Sequence, residues 1–283
     1  AYKRDLAVEY LGTDYPEEVG EMIKDWDAFL AVGKQVNEKS GGKVKMMASL
    51  GDVLLSVINQ NVVDYVDGAN VDITEKMSRP LDITMQMRDA GIIGNVEMYS
   101  ASWYSAYASD EYLFYEAGAW CPPLVIVPND PQGEGNCAVT MPPEGSFNLG
   151  GTTLSIYKDS KNKEAAWAYL QFIYFSEQGG SYMYDLTGNY SCYQPYYSSG
   201  YSPMEKEWPV DKFFGGQSLV KYYVEEAAPN AGTVSQTKYD AIINDVFQAL
   251  TPKFMSDTSI DSAKALELFK EEVALKAPDA KIQ

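Results

Sequence analysis

The sequence of 283 residues contains no histidine. That absence removes Ser-His-Asp and Cys-His catalysis, histidine-ligated zinc and haem, and the usual proton shuttle near neutral pH. Paired carboxylates, lysine nucleophiles and oxygen-ligated calcium or magnesium stay open. Basic residues are scarce too: 22 Lys and Arg stand against 40 Asp and Glu, a formal charge of -18. Such a surface repels phosphate backbones and anionic lipid, which disfavours nucleic acid as a partner. Its plainest reading is solubility by self-repulsion. Cysteine is rare, and Cys121, Cys137 and Cys192 match no zinc or redox spacing. Cys121 and Cys137 flank one loop and could pair, but three free thiols is the favoured reading. No apolar run approaches the roughly 18 residues of a membrane span. The chain starts at Ala1 rather than Met, which reads as a processed or truncated start, so a missing targeting segment says little about location.

The length suits one large domain or two. Pro16 opens a helical pattern over residues 16–36, with Val19, Met22, Ile23, Trp26, Phe29 and Leu30 at helical spacing. "KVKMMASL" reads as a strand. A helix covers "VLLSVINQNVVDYV" and stops near Asp67-Gly68, and another covers "TEKMSRPLDITMQMRDAG", with Pro80 a point of division. "EYLFYEAGAW" is a strand ending at Trp120, Cys121-Pro122-Pro123 a turn, and "VPNDPQGEGN" a loop. "CAVTMPP" and "GGTTLSIY" read as strands and residues 160–180 as one helix. Tyr239, Ile242, Ile243, Val246 and Leu250 form one apolar stripe in a helical C-terminal third; Leu266, Phe269 and Val273 form another. Trp26, Trp103 and Trp167 lie in helical patterns and are expected in the core. Helices alternating with short strands argue for an α/β fold.

Motifs for chemistry are weak. Forty acids guarantee carboxylate pairs somewhere, so a glycoside hydrolase is a minor reading. "DYVDGANVD" lacks the Gly and Glu positions of a calcium loop, and a turn is the better reading. Adjacent tyrosines at Tyr196-Tyr197 and Tyr222-Tyr223 could offer phenolates to ferric iron, against the simpler reading of aromatic packing. Residues 182–201 hold seven tyrosines, a density that suits a surface half dry and half wet.

Several segments in order resemble the extracellular solute-binding proteins of carbohydrate ABC importers, the relatives of maltose-binding protein. "GGTTLSIYKDSKNKEAAWAYLQFIYFSEQGG" carries most of the likeness. "SASWYSAYASDEYLFYEAGAWCPP", "CAVTMPPEG", "DKFFGGQSLVKYYVEEA", and "YKRDL" with "DWDAFLAVGKQV" add to it. The resemblance implies a periplasmic-binding-protein type II fold, largely its second lobe, over residues 1–145 and 199–283. Residues 146–198 would be a crossing segment and a returning piece of the first lobe. Family members begin with β-α units that this chain lacks. An exposed apolar face and association between copies are therefore expected.

The resemblance also implies function: no enzyme and no cofactor, but a protein that closes by a hinge around a mono- or oligosaccharide and docks on membrane permease subunits. The location would be extracellular, lipid-anchored at the cell surface, or periplasmic. A non-sugar solute, ferric iron included, is the alternative. Trp120 is the leading ligand contact, since the matching family position stacks on sugar. Gly150, Gly151 and Thr152 follow, because paired glycines let backbone approach a ligand. Tyr239, Tyr190, Asp52 and Gln217 complete the candidates. Trp120 could equally be a core or hinge residue, the glycines a tight crossing, and Asp52 a helix cap. Tyr193 and Tyr197 are expected to pack, and Tyr182 and Tyr184 to end a helix on faces the absent lobe would cover.

Overall fold

The computed structural model describes residues 1–233 and 236–283. Its centre is a mixed sheet of short rows. Residues 45–48 form the middle row. On one side the Met46 N–H donates to the Ile92 carbonyl (2.7 Å) and the Gly94 N–H to the Met47 carbonyl (2.8 Å). On the other, the Lys45 N–H donates to Glu111 and the Phe114 N–H to Met46, both at 2.8 Å. These pairings are parallel. Tyr2–Lys3 lies antiparallel beyond 111–115, and Cys137–Ala138 pairs antiparallel with it at the edge. The row order is therefore 92–96, 45–48, 111–115, 1–3, 137–138. Met46, Met47, Ala48, Ile92, Ile93, Leu113 and Phe114 are buried, as expected of parallel rows covered on both faces.

Both sequence-derived strands at 43–50 and 111–120 thus exist as rows, while the 92–96 row lies just past a segment read only as helix. Several helices differ from expectation. The pattern over 16–36 is two helices, Pro16–Met22 and Trp26–Lys39, because the Asp25 side chain accepts the Ala28 N–H at 2.7 Å and starts a second helix. Leu50–Gln60 ends earlier than expected. Residues 66–71 instead form a hairpin, Val66–Asp67 against Asn70–Val71, with Gly68 left-handed at φ 61° and Lys281–Ile282 added in parallel. Ile73–Asp89 runs unbroken through Pro80. The proline leaves the Lys76 carbonyl without its helical donor, and the Asn61 side-chain amide supplies one at 2.9 Å. Cys121-Pro122-Pro123 is not a turn but the start of a helical stretch reaching Asn129, with a wide π-type turn over Pro122–Ile126. Proline tolerates a first helical turn, where its missing N–H leaves no bond unmade.

Residues 150–157, expected as a strand, are mostly exposed and join no sheet. The expected helix over 160–180 is two, Lys163–Phe175 and Glu177–Thr187, since the Ser176 hydroxyl accepts the Gly179 N–H at 3.0 Å. The first has no buried residue; Trp167, Tyr169, Phe172 and Phe175 are exposed. Trp26 and Trp103 are core residues, but Trp167 is not. Tyr184 is buried against Trp208, whereas Tyr182 stays exposed.

The C-terminal stripes behave as read: Tyr239, Ile243, Val246, Leu250, Phe269 and Val273 are buried. Arg88 ties them to the sheet's helices. Its buried guanidinium donates at 2.8 Å to the Phe254 carbonyl, in the last turn of Asp240–Ser256 where carbonyls lack helical donors, and at 2.8 Å to the Ile260 carbonyl in the segment beyond it. Arg88→Met should cost about 3 kcal/mol, because the carbonyls stay buried and lose their donor. Urea unfolding checks this, and a loss below about 1 kcal/mol would show that water replaces the guanidinium.

Candidate functional site

The parallel rows 45–48, 92–96 and 111–115 all finish at the same edge of the sheet. Their continuations are residues 49–52, 96–99 and 116–120. In open α/β sheets the crevice outside the carboxyl ends of strands is the usual place for a ligand. Two cavities open there, and Leu149 forms a wall of both.

The first cavity encloses about 410 Å³. Glu116, Ala117, Gly118, Ala119 and Trp120 line it from the end of the 111–115 row. The Gly118 backbone lies so close to the Trp120 indole that a Cβ there would meet Nε1 at 2.9 Å. Glycine at this position is what lets the ring fold back into the cavity wall. Tyr190 and Tyr223 continue the wall, with ring centroids 5.4 Å apart. Their neighbours' hydroxyls are tied to backbone: Tyr222 donates to Thr140, Tyr223 to Ala117 and Tyr197 to Ser191, at 2.7, 2.8 and 2.8 Å. Burial pushes all three phenols well above the ordinary tyrosine range. Tyr196 is buried in ring contact with Tyr197. Among the described residues no cluster of three or more Cys, Asp or Glu could hold a metal.

Glu116 is the carboxyl of this wall. Its Oε1 is shut off from solvent and has no hydrogen-bond partner. Burial pushes the carboxyl well above the ordinary range, and the charge of Asp52 pushes it further. No Lys or Arg is among the described lining residues.

The second cavity, about 630 Å³, is lined by amides: Asn59, Asn95, Asn244 and Gln248, with Thr251 and Tyr99. Tyr99 holds a left-handed backbone, φ 61°, uncommon for a residue with a side chain. Its ring sits 5.3 Å from that of Trp103.

Of the residues expected from sequence, Trp120 and Tyr190 meet in the first cavity and Gly150 lines the second. Gly151 and Thr152 are exposed and line neither. Asp52 is buried and accepts the Trp103 indole N–H at 3.0 and 3.2 Å. It does not cap its helix either, because Ser49 does. Tyr239 is a core residue with its hydroxyl 3.5 Å from Asp279 and the Lys238 ammonium over its ring. Gln217 clips the sheet edge, accepting the Val139 N–H (2.8 Å) and donating to its carbonyl (2.9 Å). Tyr197, expected to pack, also lines the first cavity. Sequence reasoning missed Glu116 and the amide row. The signal for Glu116 was a single acid in the apolar run "YLFYEAGAW". Cys121 and Cys137 are buried and unbonded, and burial pushes their thiols up to about 12 and about 11.

Residues 4–180 match the sequence profile of the bacterial extracellular solute-binding proteins. The chain belongs to that family. It is similar to the lactose-binding protein of Rhizobium radiobacter, 23% identical over 289 residues, which are 91% of this chain and 63% of that protein. The chain thus spans less than two thirds of that relative's length. Among solved structures, an extracellular solute-binding protein of family 1 superposes with a TM-score of 0.81 at 20% identity, over 98% of this chain and 70% of the other. The galacto-N-biose-/lacto-N-biose I-binding protein of an ABC transporter from Bifidobacterium longum gives 0.71 at 16% identity, over 98% and 67%. The fold is that of these solute-binding proteins. Among the described residues no helix is long and apolar enough to cross a membrane.

Burial pushes Asp52 up to about 7, while the Trp103 N–H pulls it partly back. A raised folded-state pKa means that the native chain holds this proton after the unfolded chain has lost it. Stability from this group therefore falls as pH rises from about 4 to about 7. Asp52→Asn keeps an acceptor for Trp103 and removes that fall. It should stabilise the protein by about 2–4 kcal/mol at pH 8 and by much less at pH 4. Chemical unfolding across pH tests this; an equal effect at both ends would contradict it.

Proposed function

We propose that this chain is the ligand-holding part of a sugar-binding component of an ABC importer, located outside the cytoplasmic membrane. The observation that carries the reading is Trp120, folded over Gly118 into a cavity wall with Tyr190 and Tyr223 at the carboxyl edge of the sheet. Sugar rings have an apolar C–H face that stacks on aromatic rings and a rim of hydroxyls that needs polar partners. Amides, Ser146 and Glu116 supply such partners beside the rings. The relatives named for lactose and for galacto-N-biose or lacto-N-biose support a disaccharide as ligand.

On this reading residues 1–145 and 199–283 are the second lobe, and 146–198 cross toward a first lobe. The helix Lys163–Phe175 supports that division, since it has no buried residue and leaves Trp167, Tyr169, Phe172 and Phe175 exposed. Ligand would close the two lobes, and the closed form would dock on the permease. Binding without turnover is the expectation. Glycoside hydrolysis needs two carboxyls flanking one bond, whereas Glu116 faces the first cavity without a second acid among its described lining residues.

Titration calorimetry of the full chain with lactose, other galactosyl disaccharides and maltose tests the reading. Trp120→Ala should weaken binding at least about tenfold, the scale of one lost aromatic contact. Tyr239→Phe, in the core, should leave affinity unchanged. Undiminished affinity in the Trp120 variant, or release of monosaccharide on long incubation, would overturn the proposal.

A further inference from the structure

Glu116 stands on the wall of the first cavity. Its Oε1 is enclosed and unpaired, and buried polar atoms without partners are uncommon in native structures. Other unpaired buried atoms, such as the Tyr196 hydroxyl, lie away from the cavities; Glu116 lines one. The cavity wall is largely aromatic and apolar, and none of the polar groups among its described lining residues pairs with that oxygen.

We infer that Glu116 is the specificity-determining acceptor of the first cavity, taking a hydrogen bond from a hydroxyl of a neutral saccharide. This rests on the sugar-binding reading and adds to it a residue, a direction of hydrogen bonding and a proton count. The groups facing Glu116 come from each surrounding element. They are Asp52 in the helix Leu50–Gln60, Tyr99 and Tyr107 flanking Ala101–Ala106, Cys121 after the Trp120 turn, and the amino group of Ala1. The amino group favours ionisation of Glu116, but burial and Asp52 outweigh it and the carboxyl is held protonated above the ordinary range.

A hydroxyl hydrogen donated to the carboxylate favours the ionised form. Binding therefore releases the proton of Glu116 to solvent: the O–H bond of the acid breaks and the ligand's hydroxyl takes its place as partner. Affinity then rises with pH until Glu116 is ionised in the free protein as well.

Calorimetry at pH 5.5 in two buffers of different ionisation enthalpy counts the protons. Wild type should release a measurable fraction of a proton per sugar bound, and affinity should increase toward pH 8. Glu116→Gln, of nearly the same shape, should bind at least about tenfold more weakly at pH 8, as expected for loss of a charge-assisted hydrogen bond, and release none. Asp52→Asn removes the neighbouring titration but not the ligand contact, so proton release should persist in it. Sugar binding that Glu116→Gln leaves unchanged in affinity and proton count would overturn the assignment and leave the sugar-binding reading standing. No binding of any sugar by wild type would overturn the reading itself.

Discussion

The backbone ladder on both sides of residues 45–48 is the constraint from which the rest of the molecule follows. This row is bonded to 92–96 on one side and to 111–115 on the other. Because both pairings are parallel, the chain must return across the sheet each time, and the helices Leu50–Gln60 and Ile73–Asp89 fill part of the first return. Parallel rows also finish together. Three separate stretches, 49–52, 96–99 and 116–120, are thereby delivered to one edge although some 70 residues separate the first from the last. The cavity wall is a consequence of sheet direction before it is a matter of any one side chain.

That edge is costly for the fold. Asp52, in the helix Leu50–Gln60, and Glu116, at the end of the 111–115 row, are both withdrawn from water, and the charge of Asp52 adds to the resistance of Glu116 to ionising. Their solutions differ. Asp52 has the Trp103 indole N–H and belongs to the structure. Glu116 has nothing on its inner oxygen and faces open volume. Two acids with similar burial are separated in role by whether a partner lies within the protein. A polar group that the fold leaves unpaired is a better pointer to a ligand than one it has already satisfied.

The sheet rows could be read from the sequence because continuous apolar runs such as "KVKMMA" and "YLFY" suit strands covered on both faces. Trp120 enters as a candidate only through the resemblance; what the structure adds is the close approach of its indole to Gly118. The helix boundaries at Asp25 and Ser176 were hidden because apolar spacing continues across both caps, and one side-chain hydrogen bond outweighs a periodic pattern. Pro80 misled in the opposite direction: the group that rescues its freed carbonyl, Asn61, lies 15 residues away from Lys76. Residues 150–157 have strand composition, but strand formation needs a neighbour to pair with, and composition cannot supply one. Asp52, Tyr239 and Gln217 have the chemistry of ligand contacts. Their actual partners, Trp103, Asp279 and Val139, are distant in sequence and hold them elsewhere. Residue type limits what a side chain can bind, and the tertiary fold decides whether it is still free.

Charge narrows the ligand further. The chain carries -18 overall, and the first cavity adds a carboxyl with no Lys or Arg among its described lining residues. An anionic sugar approaching such a surface is repelled within a Debye length, about 8 Å at physiological ionic strength. On arrival it would find no Lys or Arg side chain among the described lining residues to replace its lost hydration, and burying a charge without such a partner is costly. A neutral saccharide meets neither penalty. On the proposed reading its apolar face would lie on rings whose hydroxyls are already engaged with backbone, and its own hydroxyls would be the donors that Glu116 lacks. An arrangement that holds a neutral sugar in this way would reject an acidic one, and discrimination of that kind rests on unpaired charge as much as on fit.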